Sequence, residues 1–270
     1  MRLFKLTVFA LFLCSLSLSA QTVDEVIAKN IQAHGGLAKL KAIQSMRLSG
    51  DFEAAGMEAG FTQVYKRPMK VRRDVSIQGL TMIQAYDGQN GWQVVPFTGK
   101  KDPEPMAADE LKIIQEEADI DGPLVDYKQK GNKVELVGKE KMEGTDTYHL
   151  KATLKNGDVR NLYLDAGSFL LIKATGKLTR QGTEMEVEST LGDYRDVQGV
   201  MFPFSIEQHM VGGQGPGQKI AFTKVEINVP VEDSIFKMPP PAAPEKTAPS
   251  PAVAGEQPKK PNPGAKPPQD

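Results

Sequence analysis

The sequence predicts a mainly β protein: an antiparallel sheet of about 12 strands with a few helices set against it. Three observations carry this expectation. From Gln44 onward apolar residues recur at every second position through most of the chain, the period of half-buried strands. Two hairpin signals, Asp87-Gly88 and Asn156-Gly157, the second the strongest in the chain, sit between such runs. Only two longer segments carry a helical period, and strands do not alternate with helices, which argues against a parallel sheet. About 12 strands at roughly 4.8 Å each would span roughly 58 Å if flat, and twisted sheets beyond about 10 strands curl, split or close. A strongly curved sheet wrapped around its helices meets that constraint. A closed barrel or a sandwich does so too, and periodicity alone does not choose.

Residues 1–20 read as a signal peptide: Arg2 and Lys5 precede an apolar run from Leu6 to Leu13, and a small, polar-flecked stretch ends at Ala20, where cleavage is expected. The run is short for a membrane span. Phe12 and Leu13 stand where a lipidation signal places a small residue before Cys14. Thr22-Val23-Asp24-Glu25 is a capping box. Val23, Val26, Ile27, Ile31 and His34 share one helical face, and Gly35-Gly36 closes that helix because glycine takes the left-handed cap without strain. His34 is read as a helix-end residue near the negative end of the dipole rather than as a ligand. Leu37 to Ile43 adds a short second helical turn.

Five strands then follow as a sequential meander: Met46 to Phe52, Met57 to Tyr65, Met69 to Ile77, Leu80 to Tyr86, and Trp92 to Val94, stopped by Pro96. Lys100 to Pro105 is a polar loop. Met106 to Ala118 is a helix with Leu111, Ile114 and Ala118 on one face, and 119–127 is a turn followed by a short apolar helix or loop. Strands resume after Asn132, at Val134–Gly138, Tyr148–Leu154, Val159–Asp165, Phe169–Thr179, Thr183–Arg195, Val200–Met210 and Gln218–Asn228. From Pro239 to Asp270, 11 of 32 residues are proline and no apolar period exists, so this tail is expected to be disordered or polyproline-like. The folding unit is therefore residues 21–238.

Composition limits the chemistry. A net charge of −1 argues against a nucleic-acid binder. With the signal peptide (+2) and tail (+1) set aside, the folding unit carries −4. The single cysteine leaves with the signal peptide, which suits an oxidising compartment and excludes a disulfide framework. His34, His149 and His209 are too scattered for a metal cluster, and His149 and His209 are read as surface residues. Glu116-Glu117, Glu184, Glu186 and Glu188 are read as solvated faces. Gly212 to Gly217 is read as a hairpin loop, since a phosphate loop feeds a helix and ends in Lys-Ser/Thr. The densest basic run, Lys66, Arg67, Lys70, Arg72 and Arg73, is read as a solvated strand edge, with contact to phosphate or lipid head groups as the alternative. No Gly-x-Ser-x-Gly elbow and no His-Glu-x-x-His motif occurs. The expectation is a protein that is not an enzyme, with no cofactor and no metal. Met46, Met57, Met69, Met82, Met185, Met201 and Met210 all fall on strands; such methionines suit an apolar, acyl-like ligand or equally a plain core.

The order of elements resembles the LolA/LolB-like lipoprotein carrier superfamily, and several phrases add to the likeness. The stretch from His34 to Gly50 resembles the opening of outer-membrane lipoprotein-sorting proteins. Tyr86-Asp87-Gly88 before Gly91-Trp92 is similar to a hairpin of that group. Leu162 to Asp165 before Leu170 to Lys173, and Asp193 to Asp196 with Gly199 to Pro203, resemble its later phrases. The similarity runs over about residues 22–230. It implies an unclosed half-barrel of about 11–12 strands with a helical lid over an apolar cavity. It implies no catalysis and no cofactor, and acyl chains of lipids or lipoproteins as ligands in the periplasm. For a carrier, Leu48, Phe61, Val71, Met82, Trp92, Leu150, Leu162, Met185 and Phe222 form the cavity wall, and Leu111, Ile114, Leu124 and Val125 the lid. The assignment of faces hangs on register, since a one-residue slip inverts it. Transient contact with a membrane surface and an envelope protein held through the tail are further expected partners. Two other readings stand beside the carrier: an envelope stress sensor or partner-binding module without transport, and a hydrolase, which would need carboxylates or histidines clustered in the cavity.

Overall fold

The computed structural model describes residues 21–180, 182–213 and 217–240; the expected signal peptide, Cys14, the middle of the Gly212–Gly217 loop and all but the first residues of the Pro-rich tail lie outside them. Among the described residues there are three α-helices: α1 (Val23–Ala33), α2 (Leu37–Ala42) and α3 (Ala108–Glu117). The first meander comprises β1 (Ser45–Ala54), β2 (Met57–Lys66), β3 (Lys70–Ile77), β4 (Leu80–Tyr86) and β5 (Gly91–Val94), with a two-residue β6 (Glu104–Pro105). The second comprises β7 (Lys133–Met142), β8 (Thr145–Thr153), β9 (Val159–Asp165), β10 (Leu171–Arg180), β11 (Thr183–Val197), β12 (Val200–Met210) and β13 (Gln218–Ile227).

All 13 strands join one unclosed antiparallel sheet in the order β6-β5-β4-β3-β2-β1-β13-β12-β11-β10-β9-β8-β7. The fold class matches the expectation; β6 is the addition, because Pro105 and Glu104 pair with Trp92 and Gln93 inside the stretch read as a polar loop. Each meander pairs strands consecutive in sequence, and the β1–β13 ladder is the seam that joins the two. Gly50 sits at an irregularity of that ladder, where a Cβ would stand 2.1 Å from the carbonyl oxygen of Ala221. Only glycine lets the strands meet there.

The helices enter through local signals visible in the sequence. Thr22 and Glu25 form the reciprocal capping box at the start of α1. At its end Gly36 N–H donates to the Ile31 carbonyl (2.9 Å), and Gly35 takes φ +109°. A side chain at Gly35 would also strike Gly199, 2.2 Å away, so this corner lets α1 dock on the β11–β12 turn, where Met201 N–H donates to the His34 carbonyl (3.2 Å). His34 caps α1 with Nδ1 2.9 Å from the Asn30 carbonyl, and burial pushes its pKa down.

Residues 119–131 form successive turns pinned to α2 and the β2–β3 hairpin. Arg67 grips Asp121 with two nitrogens (2.6 and 2.9 Å) and also donates to the carbonyls of Ile43 and Leu40. Lys41 bridges Asp121 and Asp126 (2.7 and 2.6 Å). Nearer the C-terminus, the segment 229–238 straps one arm of the sheet: Trp92 Nε1 donates to the Phe236 carbonyl (2.7 Å), Arg72 to that of Ile235 (3.1 Å), and Asp233 pairs with Lys66 and Lys70. Phe236 of this strap is itself fully buried. The basic run from Lys66 to Arg73 is thus no solvated edge: β3 lies inside the sheet, and each of its five cations has an acidic partner within the fold.

Two outcomes test this architecture. Gly50→Ala is expected to destabilise the protein by about 2 kcal/mol or more, because the seam must open to admit the methyl group; a denaturant midpoint equal to wild type would contradict it. Burial works to raise the Asp121 pKa, but Arg67 and Lys41 outweigh it and hold it at about 2, below its ordinary 3.8. A depressed carboxyl contributes stability above its unfolded pKa and loses it as pH falls through the folded one. Between roughly pH 4 and pH 2 the wild type should therefore lose about 2 kcal/mol through this residue. Unfolding curves for Asp121→Asn should lack that component.

Candidate functional site

Pairing register decides which side chains share a face. Across β2, β3 and β4, Tyr65, Val71 and Tyr86 form one row, Gln63, Arg73 and Gln84 the next, and Phe61, Val75 and Met82 a third; Ile77 and Leu80 end the series. The same face continues through Leu48 and Gly50 of β1, Ile220 and Phe222 of β13 and Ile206 of β12. Beyond these it runs through Val187 and Met185 of β11, Ala174 and Leu178 of β10, Leu162 of β9 and Leu150 of β8. Leu48, Phe61, Val71, Met82, Leu150, Leu162, Met185 and Phe222 therefore all project to one side of the sheet; Met82 and Met185 are half-buried and the others buried. The rings of Phe61 and Phe222, both opposite Gly50, sit 5.9 Å apart. Trp92 departs from the group. It pairs with Ala85, which pairs with Arg72, so it lies on the other face beneath the 229–238 strap.

α3 crosses the inner face. Ile114 and Ala118 are buried, and with Leu111 and Met106 they pack on Val71 and Tyr86. Leu124 is buried elsewhere, in the cluster of α1 and β7–β9, and Val125 beside it in the chain is buried as well. The lid expectation thus falls on two distinct elements, α3 and the 119–131 turns.

Charged residues fasten α3 to both arms of the sheet. Glu116 accepts two hydrogen bonds from Arg160 of β9, from Nε (2.8 Å) and Nη2 (2.5 Å). Glu117, the next residue, accepts from Nη2 of Arg73 on β3. Lys112 pairs with Asp158 (2.7 Å), and Asp109 accepts from the Gly182 N–H (3.0 Å). Gly176 lies opposite Arg160, and a Cβ there would come within 2.7 Å of Arg160 Cδ, so the glycine makes room for the guanidinium. Glu116 and Glu117 are therefore not a solvated face. Their partners lie far away in sequence, and helical periodicity carries no sign of them.

The polar row under α3 is the other feature that sequence reading missed. Gln63 is buried and Arg73 half-buried amid apolar neighbours, and Arg73 Nε is buried without a hydrogen-bond partner. Burial, aided by the Glu117 charge, pushes the Tyr65 phenol well above its ordinary pKa. A period-two pattern reads Gln63, Arg73 and Gln84 as outward positions only if the register is slipped by one. Their parity with Phe61, Val75 and Met82 was the available signal.

Two hollows flank Ile113 of α3. One, about 110 Å³, is lined mainly by charged residues including Lys112, Glu116, Asp158 and Arg160. The other, about 30 Å³, lies against Arg73, Gln84 and Glu117. Both fall below the roughly 300 Å³ at which small-molecule sites begin. On the other face, His149 is half-buried rather than a plain surface residue: it stacks on Tyr163 (4.6 Å) and meets Glu140 (2.9 Å) and Asn161 (3.0 Å). Among the described residues no three histidines, cysteines or carboxylates are grouped to hold a metal, and no helix is long and apolar enough to cross a membrane.

Breaking the clamp is expected to loosen α3 selectively. Arg160→Met should cost about 1–2 kcal/mol in global stability and speed amide exchange through residues 108–117 well beyond that of β8 and β9. Unchanged protection in α3 would show that apolar packing alone holds it.

No family model matches the chain, and no curated protein matches it. Solved structures do. A DUF1329 family protein from Desulfovibrio piger aligns at 11% identity and TM-score 0.56, over 81% of this chain and 98% of that one. A putative outer membrane lipoprotein-sorting protein domain from Vibrio parahaemolyticus aligns at 11% identity and TM-score 0.54, over 78% and 94%. A LolA superfamily protein from Nitrosomonas europaea aligns at 13% identity and TM-score 0.56, over 81% and 98%. At such identities the likeness is one of fold, and the fold is LolA/LolB-like.

Proposed function

We propose that the protein is an exported, periplasmic binding protein that holds acyl chains of a lipid or lipoprotein against the inner face of its sheet, with α3 as a movable cover. One observation carries this reading: the largely apolar inner face, crossed by polar side chains where α3 lies and curled around that helix, extends past its cover. Beyond the cover Ile77, Met82, Ile206 and Ile220 are only half-buried, and Leu80 is 41% exposed. Each CH₂ moved onto such a surface contributes about 0.8 kcal/mol, so an acyl chain gains enough to compete with the packing of α3. The hollows around α3 are too small for a chain, so loading requires α3 to lift. A clamp of surface and half-buried ion pairs is suited to that, since such pairs are individually weak.

A folding unit of residues 21–238 that follows a cleaved signal peptide fits delivery to an oxidising compartment without cysteine. In this reading the work is burial; among the described residues no three histidines, cysteines or carboxylates are grouped to hold a metal. The packed interior favours a second reading, a partner-binding or sensing module on the same fold, in which α3 stays closed and the outer surface does the binding.

Met82→Asp separates the two. Native protein extracted gently from the cell envelope and analysed by mass spectrometry should carry lipid. The Met82→Asp protein should have lost it, while its melting temperature falls by only a few degrees because Met82 is half-buried. Wild-type protein free of lipid and unable to take up a fluorescent fatty acid would overturn the carrier reading in favour of the sensor.

A further inference from the structure

Arg73 and Arg160 hold neighbouring glutamates of the same helix in different ways. Arg160 grips Glu116 with both donors of one guanidinium edge, Nε and Nη2. Arg73 offers Glu117 only Nη2, and its Nε is buried and bare. A guanidinium edge is matched by the two oxygens of one carboxylate, and a buried donor left without a partner is costly. Arg73 is therefore half engaged, on an apolar face, beside the hollow it shares with Gln84, Glu117 and Arg180. In its own row stand Gln63 and Gln84. One row on lie Phe61, Val75 and Met82, and beyond them Ile77 and the exposed Leu80, about four residues or roughly 14 Å along the strands from Arg73. A charged head placed at Arg73 thus leads straight onto an uninterrupted apolar track.

We propose that Arg73 is a head-group site for the carboxylate of a free fatty acid, which displaces Glu117, takes both Nε and Nη2, and lays its chain over Val75, Phe61 and Met82. This rests on the acyl-binding reading and narrows it to a ligand class. It also couples binding to opening. Exchange of carboxylates at Arg73 releases α3 from β3, while Glu116 and Arg160 keep it tied to β9, so the helix swings from one arm without detaching.

The test is titration calorimetry on the mature protein with palmitate, methyl palmitate and butyrate. Palmitate is expected to bind roughly tenfold or more tightly than its methyl ester, the worth of one charge-assisted hydrogen bond, and butyrate to bind far more weakly than either. Arg73→Gln should abolish the preference for palmitate over the ester, so that the two bind alike whatever the loosened helix adds to both. Glu117→Gln, which keeps the arginine, removes its competitor and loosens α3, should tighten palmitate several-fold and the ester by no more than that; loss of the preference for palmitate in this variant would overturn the proposal even if Arg73→Gln fails to fold. Equal binding of palmitate and ester by wild type would overturn the head-group site while leaving acyl binding intact. Butyrate as effective as palmitate would show a soluble carboxylate site and overturn the proposal. Binding of none of the three would sink the acyl reading itself.

Discussion

Two adjacent glutamates on one helix tie together the two arms of the sheet. Glu116 reaches Arg160 on β9 and Glu117 reaches Arg73 on β3. Seven strand-to-strand steps separate β3 from β9 in the sheet, about 34 Å if the sheet were flat. Side chains of consecutive helical residues cannot span that distance. The sheet must curl until its two arms face each other across α3. Thirteen strands without closure then enclose one apolar interior, and the helix that spans it draws the arms together while covering what they enclose.

β3 transmits this arrangement through the sheet. Arg73 points inward to α3, and its neighbour Arg72 points outward to Asp74 and the 229–238 strap. Val71 packs beneath α3, and Trp92, two strands away, holds the strap from the other side. Cover and strap thus load one strand from opposite faces. At the other end of this arm Arg67 collects α2, the 119–131 turns and the β2–β3 hairpin around Asp121. The basic run that appeared in the sequence as a cluster of like charge is divided in space among four separate partners, and this division removes the repulsion that the linear spacing suggests.

The same geometry bears on function. In the proposed reading, a largely apolar inner face under an ion-paired cover holds a ligand by burial, with the row Gln63, Arg73 and Gln84 fixing its orientation. Structures of the same architecture share the fold at 11–13% identity, and a fold shared at that distance leaves the ligand to be argued from this chain's own side chains.

Local and periodic features were legible in the sequence because their causes are local. The capping box at Thr22, the glycine stop at Gly35, the Asp87-Gly88 and Asn156-Gly157 turns and the alternation along each strand depend on residues a few positions apart, and the two meanders follow from short connections. Alternation also set Leu48, Phe61, Val71, Met82, Leu150, Leu162, Met185 and Phe222 on one side. Trp92 escaped it because the strap, which buries the outer face there, arrives from residues more than 140 positions later. The β1–β13 seam, the curl and the clamp were decided only in three dimensions. Glu116 and Glu117 show no local mark of their partners, 44 residues away in each direction. Whether such carboxylates face water or arginine depends on which strands the fold brings beneath them, and no period in the chain encodes that.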